Sequence, residues 1–292
     1  MASTLKVEDR PEVEELRSTY LTSRRMQFLT PETKYRYVRI VNKFLRETGG
    51  EVDRDHLLKF FDTLGKFSTG YQRWAYQVLK SFYDIVGLDW PLIPRDLPPE
   101  VEPNRPYLEQ DEAEKLLTLA QNNPLDHAML RLVLVTGIRK VELRELDLQD
   151  YSPPRIAVDT KKHGERRVRT LDVDTVNAIN AYIEGPRSHW GRRWKDSPRS
   201  PLFLSPRGGR LPDSTLTKWF RRYADRLGKP KGCGMHSLRR TVVTFEASGG
   251  MDSMRLQKLH GWKSPRMPEI YSRLKPEVLE KEAYEANPLV RK

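Results

Sequence analysis

Six prolines lie within the seventeen residues from Trp90 to Pro106. Proline fixes φ and has no backbone N–H. A run of this kind therefore neither continues a helix nor enters the middle of a sheet, and it stiffens an extended chain. The 292-residue chain is thereby cut into two pieces of ordinary domain size, each of which must bury a core of its own. Residues 90–106 are predicted to be the linker between them.

The piece before it, residues 1–89, reads as wholly helical. Residues 9–24 form a first helix with acidic residues near its start. Thr30-Pro31-Glu32 opens a second, a capping side chain followed by Pro at the first helical position. Its apolar stripe of Tyr35, Val38, Val41 and Leu45 recurs at steps of three and four, and Gly49-Gly50 ends it. Asp53 starts a shorter helix carrying Leu57, Leu58, Phe61 and Leu64. Ser68 or Thr69 starts a fourth, with Tyr71, Trp74, Val78, Phe82 and Ile85 on one face. Such helices together make a small all-helical domain. Lys34, Arg36, Arg39, Lys43, Arg73 and Lys80 interleave with its aromatic residues, either as solvated outer faces or as contacts to phosphates.

The piece after it mixes helices with short strands. Glu109-Gln110-Asp111-Glu112 suits a helix N-terminus. Residues 125–135 are nearly continuous in apolar side chains, the mark of a buried helix, which ends at Thr136-Gly137. Arg139 and Glu142 follow at once. Ile156-Ala157-Val158 and Val168-Arg169-Thr170-Leu171 are β-type runs joined by Lys161-Lys162-His163-Gly164-Glu165, a hairpin with a basic tip. Asp172 or Asp174 caps a helix with Val176, Ile179 and Tyr182. Residues 185–200, with five basic residues and one acidic, are expected to form a mobile surface loop around Trp190 and Trp194. Asp213 or Ser214 starts a helix with Leu216, Trp219, Phe220 and Tyr223, and a helix from Asp252 to His260 is broken by Gly261-Trp262. The fold class is mainly α with a small β-sheet, α+β.

Composition narrows the partners. Lys plus Arg number 52 against 40 Asp plus Glu, a formal net charge of +12. A folded chain this basic favours a polyanion, of which nucleic acid is the commonest. Residues 1–95 hold 16 basic and 13 acidic residues, so most of the excess lies beyond them. The one cysteine, Cys233, excludes an intrachain disulfide and reads as a packed side chain rather than a thiol nucleophile. Without a long apolar run or a basic-then-apolar leader, a cytoplasmic protein with no membrane partner is expected. The sequence has no Walker-type glycine loop and no Cys/His cluster, so neither cofactor nor metal is expected.

The chemistry concentrates at Gly234-Met235-His236-Ser237-Leu238-Arg239-Arg240-Thr241. On a helix, His236 and Arg239 share a face, while Leu238, Val242 and Phe245 can face a core. Arg offers a phosphate a planar fork, and an imidazole exchanges a proton near neutral pH. Alone, such a pair is most often a solvated helix face. The motifs on either side of it change that reading.

Taken in order, these motifs resemble the tyrosine recombinase (phage integrase) family over roughly residues 107–275. They are Thr136-Gly137-Ile138-Arg139-Lys140-Val141-Glu142-Leu143, the Lys162 hairpin, His236-Ser237-Leu238-Arg239, and Gly261-Trp262 followed by Tyr271. The first domain looks like that family's core-binding domain, clamping DNA together with a catalytic domain over 107–275. The tail, 276–292, would suit docking on a neighbouring protomer. The resemblance implies that Arg139 and Arg239 bind the non-bridging oxygens of the scissile phosphate, that Tyr271 is the nucleophile, and that His236 helps accept its proton. Trp262 stands where the family usually has a second His, nine residues before Tyr271, and could donate one hydrogen bond. Tyr284 lacks that spacing, and His260, two residues early, is not assigned.

Lys162 matches the lysine that protonates the leaving 5′ oxygen. Lys161 is adjacent, and because strand side chains alternate faces only one of the two can point at the phosphate. Glu142 resembles an acidic support for Arg139. The implied activity is that of a site-specific recombinase or integrase, as carried by mobile genetic elements, working through a 3′-phosphotyrosine. The implied partner is double-stranded DNA bearing a recombination site, bound by a homo-tetramer in the synaptic complex and by a monomer or dimer otherwise. A type IB topoisomerase-like enzyme, a hairpin resolvase and a non-catalytic DNA-binding protein are the alternatives.

Overall fold

The computed structural model describes residues 10–97, 99, 106–160, 165–194, 197, 199–230, 232–262 and 264. They fall into two compact units that divide after Asn104. No helix among the described residues is long and apolar enough to cross a membrane.

The first unit contains α1 (Pro11–Thr22), α2 (Arg24–Gln27), α3 (Pro31–Glu47), α4 (Arg54–Thr63) and α5 (Thr69–Val86). The helix starts follow from the capping side chains. Thr30 accepts from the Thr33 N–H, Asp53 from those of Asp55 and His56, and Ser68 from that of Tyr71. Gly87, with a left-handed φ of 76°, closes α5. The buried faces of α1, α3, α4 and α5 meet in an aromatic core, with Phe44 edge-on to Phe60 at 5.3 Å and Tyr20 edge-on to Phe82 at 5.4 Å.

The start of the expected linker belongs to this core. Trp90 donates from Nε1 to the Tyr76 hydroxyl (2.9 Å) and stands edge-on to Tyr76 and Tyr83. Leu92 is buried beside them, and Asp96 pairs with Arg54 at 2.9 Å. Proline limits regular structure here to one short 3-10 helix, Pro94–Asp96, but the large side chains between the prolines still pack.

The second unit contains α6 (Gln110–Ala120), α7 (Pro124–Thr136) and α8 (Lys140–Glu145). A three-stranded antiparallel sheet follows, made of β1 (Tyr151–Ser152), β2 (Arg155–Thr160) and β3 (Glu165–Thr170) in that spatial order. Then come α9 (Val173–Tyr182), α10 (Ser188–Trp190), α11 (Asp213–Arg226), α12 (Met235–Ser248) and α13 (Ser253–His260). Helix α7 is central, packed against α6, α9 and α12, with Leu130, Leu132 and Val133 fully buried. Its nearly continuous apolar run suits a helix packed against several neighbours, while His127 and Arg131 mark the edge that stays half-buried.

Two expectations for this unit are corrected. Residues 185–200 are tied down in their described part. Arg187 is buried and donates to Ser200 Oγ (2.6 Å) and to the carbonyls of Pro201 (2.9 Å) and Leu202 (3.0 Å), while Trp194 Nε1 reaches the Gly208 carbonyl at 2.7 Å. A single arginine satisfying otherwise orphaned carbonyls anchors a segment whose composition reads as loop. Phe245, expected on the core face of α12 with Leu238 and Val242, is 38% exposed, whereas those two are buried. Cys233 is a buried free thiol, as read from the sequence.

Candidate functional site

Gly137 sets the geometry. It ends α7 with a left-handed φ of 61°, and the chain turns there to place Arg139 at the N-cap of α8. The backbone N–H of Arg139 donates to Glu142 Oε2 (2.9 Å) and its Nη1 to Oε1 of the same carboxylate (2.7 Å). Helix α12 approaches from the other side with Arg239, which is only 7% exposed. Its Nη1 donates to the Gly137 carbonyl at 2.6 Å and its Nη2 to the His260 carbonyl at 2.9 Å. Arg139 Nη2 approaches that same carbonyl at 3.5 Å. One backbone oxygen at the end of α13 thus gathers the two arginines that lie a hundred residues apart in sequence.

A third guanidinium joins them. Arg167 on β3 donates to Glu142 Oε1 (3.0 Å) and to the Leu259 carbonyl (3.3 Å). Burial pushes the Glu142 pKa up, but hydrogen bonds from the Arg139 backbone and side chain and the fields of Arg139 and Arg167 outweigh it and hold the group ionised, below the usual carboxylate range. Arg139 and Arg167 share the Glu142 carboxylate while Arg239 is held by carbonyls alone, so the three guanidiniums leave positive charge in excess, as an anion site needs.

His236, one turn before Arg239, opens to solvent. Desolvation of its ring, and then the fields of Arg240, Arg239, Lys140 and Arg139, push its pKa below the ordinary imidazole value. It is therefore neutral at neutral pH and able to accept a proton. Lys140, although inside the motif, is occupied: its Nζ pairs with Asp213 at 2.7 Å and Thr217 Oγ1 at 3.0 Å. Trp262 stacks on His260 with ring centroids 5.1 Å apart, and the Arg239 guanidinium carbon lies 5.4 Å from its ring.

The structure thus brings Arg139, Arg239 and Trp262 together, with His236 within the field of both arginines. Lys162 and Lys161, Tyr271, Tyr284 and the 276–292 tail lie outside the described residues. The sequence reading passed over Arg167, Arg169, Glu246 and His260. The register of the sheet pairs Arg169 with Ile156 and Arg167 with Val158, so both arginines share the face of two buried residues while Val168 between them is 59% exposed. The only signal in the sequence was that alternation, read with its polar residues inward.

A test of this frame follows at Gly137. A Cβ there would lie 2.9 Å from His260 Cε1 and 3.4 Å from Val242 Cγ1, on a backbone that costs an L side chain about 1–2 kcal/mol. Gly137→Ala is expected to lower stability by at least that strain, read as a fall in the urea midpoint at unchanged slope. An unchanged midpoint would show that this turn is not a constraint on the site.

The profile of the phage integrase family matches residues 106–277, more than half of the chain. The chain belongs to the phage integrase (tyrosine recombinase) family. Among its relatives, the tyrosine recombinase XerC of Roseiflexus sp. (strain RS-1) is 30% identical over 193 residues, 64% of this chain and 59% of that protein. Tyrosine recombinase XerD of Mycobacterium tuberculosis (strain ATCC 25618 / H37Rv) is 31% identical over 148 residues, 50% of this chain and 47% of that one. The alignments thus span about half to three fifths of these relatives' lengths. Among solved structures, the Tn1549 transposon integrase in complex with transposon right end DNA matches with a TM-score of 0.76 at 16% identity, covering 94% of this chain and 99% of that one. XerH site-specific recombinase, bound to a palindromic difH substrate in a post-cleavage complex, matches with a TM-score of 0.69 at 15% identity, covering 93% and 94%. At these identities the likeness is one of fold.

Proposed function

We propose that this protein is a site-specific DNA recombinase that cleaves and rejoins DNA strands through a 3′-phosphotyrosine. The observation that carries the proposal is the convergence of Arg139 and Arg239 on one carbonyl, with a neutral His236 beside them, in a chain of this family. Attack on a phosphodiester builds charge on its non-bridging oxygens, and fixed guanidiniums answer that charge without reorganising. In the proposed step the Tyr271 oxygen bonds to phosphorus while the bond to the 5′ oxygen breaks. His236 helps accept the phenol proton, and Lys162 supplies a proton to the leaving oxygen. Trp262 donates to the phosphate through its indole N–H. The new ester keeps the bond energy, and the reverse attack by a 5′ hydroxyl rejoins a strand.

Double-stranded DNA with a specific site is the proposed partner, bound by four copies during strand exchange. The relatives' structures carry the same kind of ligand: XerH is bound to difH and the Tn1549 integrase to transposon DNA. On the first unit, a groove of about 690 Å³ between α3 and α5 presents Arg36, Arg39, Lys43 and Arg46 among Phe67, Tyr71 and Trp74. Arg36 lies over the Trp74 ring at 5.1 Å. We assign this face to the DNA backbone, so affinity should fall steeply with salt.

The experiment is covalent trapping. A nicked suicide duplex carrying the chain's own site, found in the DNA flanking its gene, should give a protein–DNA adduct that survives boiling in detergent and forms in excess chelator. Binding without an adduct favours a non-catalytic DNA-binding protein. Adduct and relaxation without exchange between duplexes favour a topoisomerase-like enzyme. Within the same assay, Lys162→Ala should slow cleavage far more than Lys161→Ala. A 5′-bridging sulfur, which leaves without a proton, should restore the Lys162→Ala rate. Equal defects or no sulfur rescue would remove Lys162 from its role.

A further inference from the structure

The His260 carbonyl on which the two arginines meet is held by a side chain with no assigned part in the chemistry. The His260 ring is fully buried, and its Nε2 is hydrogen-bonded to Glu246 Oε2. The other carboxylate oxygen of Glu246 accepts from Arg169 Nη2 at 3.0 Å, and the same nitrogen donates to the Val135 carbonyl, near the end of α7, at 3.2 Å. The ring's face lies on Trp262, and its Cε1 edge fills the space left by the missing side chain of Gly137. Its Nδ1 has no hydrogen-bond partner among the described residues.

We propose that Glu246 and Arg169 are positioning residues: through the buried His260 ring they fix the carbonyl that aligns the Arg139 and Arg239 forks. The chain of contacts runs from β3 to α12, from α12 to α13, and from the end of α13 back to both arginines. An acceptor-only carboxylate against Nε2 sets the tautomer with its proton on that nitrogen, and with it the ring's orientation. Burial, together with the fields of Arg239 and Arg169, pushes the His260 pKa down against the pull of Glu246, while Glu246 is held below the usual carboxylate range despite its own burial, by His260 and Arg169. The pair is therefore a neutral imidazole on a carboxylate whose charge is answered by Arg169. Burying these groups costs more than burying apolar side chains of the same volume. What they supply is direction, since an imidazole pinned at one nitrogen and stacked on one face leaves the adjoining peptide a single position.

The functional consequence rests on the strand-transfer reading; the positioning itself does not, and the test keeps the two apart. Glu246→Ala removes the acceptor for both His260 and Arg169. Glu246→Gln keeps an acceptor oxygen at the same place. With saturating full-length protein on the suicide duplex, the single-turnover adduct rate is expected to fall on the order of 10²-fold in Glu246→Ala, the cost of a misplacement near 1 Å. DNA affinity should be unchanged, and most of the rate should return in Glu246→Gln. In arginine-labelled protein the Arg239 Nε–Hε resonance should shift in Glu246→Ala and move back in Glu246→Gln. Equal rate losses in both variants that track their melting temperatures, or an Arg239 resonance that does not move, overturn the proposal. Should the wild type form no adduct, the strand-transfer reading fails, and the Arg239 resonance alone still decides whether Glu246 positions the fork.

Discussion

Tyr271→Phe is expected to abolish the covalent adduct and leave DNA binding intact. The substitution keeps the ring and its packing area and removes one oxygen, the atom that would bond to phosphorus. Three observations select this tyrosine. It follows both arginines in sequence, it stands nine residues after Trp262, and the family profile runs to residue 277 and so includes it. A phenol of ordinary pKa near ~10 must lose its proton to attack, and the site has the means to take it. His236 is neutral because desolvation and then four surrounding cations hold its pKa down. Two of those cations, Arg139 and Arg239, are also the ones that would steady a phosphate. Tyr284→Phe, beyond the family match, should trap as the wild type does. An adduct formed by Tyr271→Phe would move the nucleophile elsewhere, and Tyr284 would be the first residue to test.

The legible parts of this molecule were those where local chemistry and tertiary demand agree. The starts of α3, α4, α5 and α7 carry their own caps, and α7 declares its central place by its nearly continuous apolar run. Arg139 and Arg239 were found because they sit in motifs of a recognisable order. Phe245 apart, the misses share one physical cause, polar groups turned inward to meet other polar groups. The β3 sequence Arg167-Val168-Arg169 points its valine to solvent because Glu142 and Glu246 wait on the inner face. Hydropathy alone predicts the reverse. His260 lies two residues before the position of the family's second histidine, so spacing leaves it unassigned. The part it plays belongs to its backbone oxygen, and no side-chain pattern announces a carbonyl. Arg187 is the same case in a structural setting, a charge buried because the carbonyls around it need a donor.

Arg239→Lys is the second large effect, and it separates charge from shape. Arg239 spans two backbone acceptors, Gly137 at 2.6 Å and His260 at 2.9 Å, while lying against the Trp262 ring. A guanidinium does this because its five donors lie in one plane, so that its two terminal nitrogens reach two carbonyls at once. An ammonium on a flexible stem offers three donors at one point and cannot bridge both carbonyls and hold a phosphate oxygen. Losing one such donor set at a developing oxyanion costs about 10²–10³ in rate. The adduct rate of Arg239→Lys should fall by that order. Affinity for DNA should stay close to wild type, because the phosphate-neutralising charge is retained and one contact among many sets little of the salt slope. Stability should also drop, by about 1–3 kcal/mol, since a buried carbonyl is left without its donor. The rate at saturating protein and the urea midpoint separate these effects. A lysine variant that melts below the wild type but cleaves at its rate would make Arg239 a strut of the fold rather than a ligand of the phosphate, and would leave Arg139 and Arg167 to carry the charge.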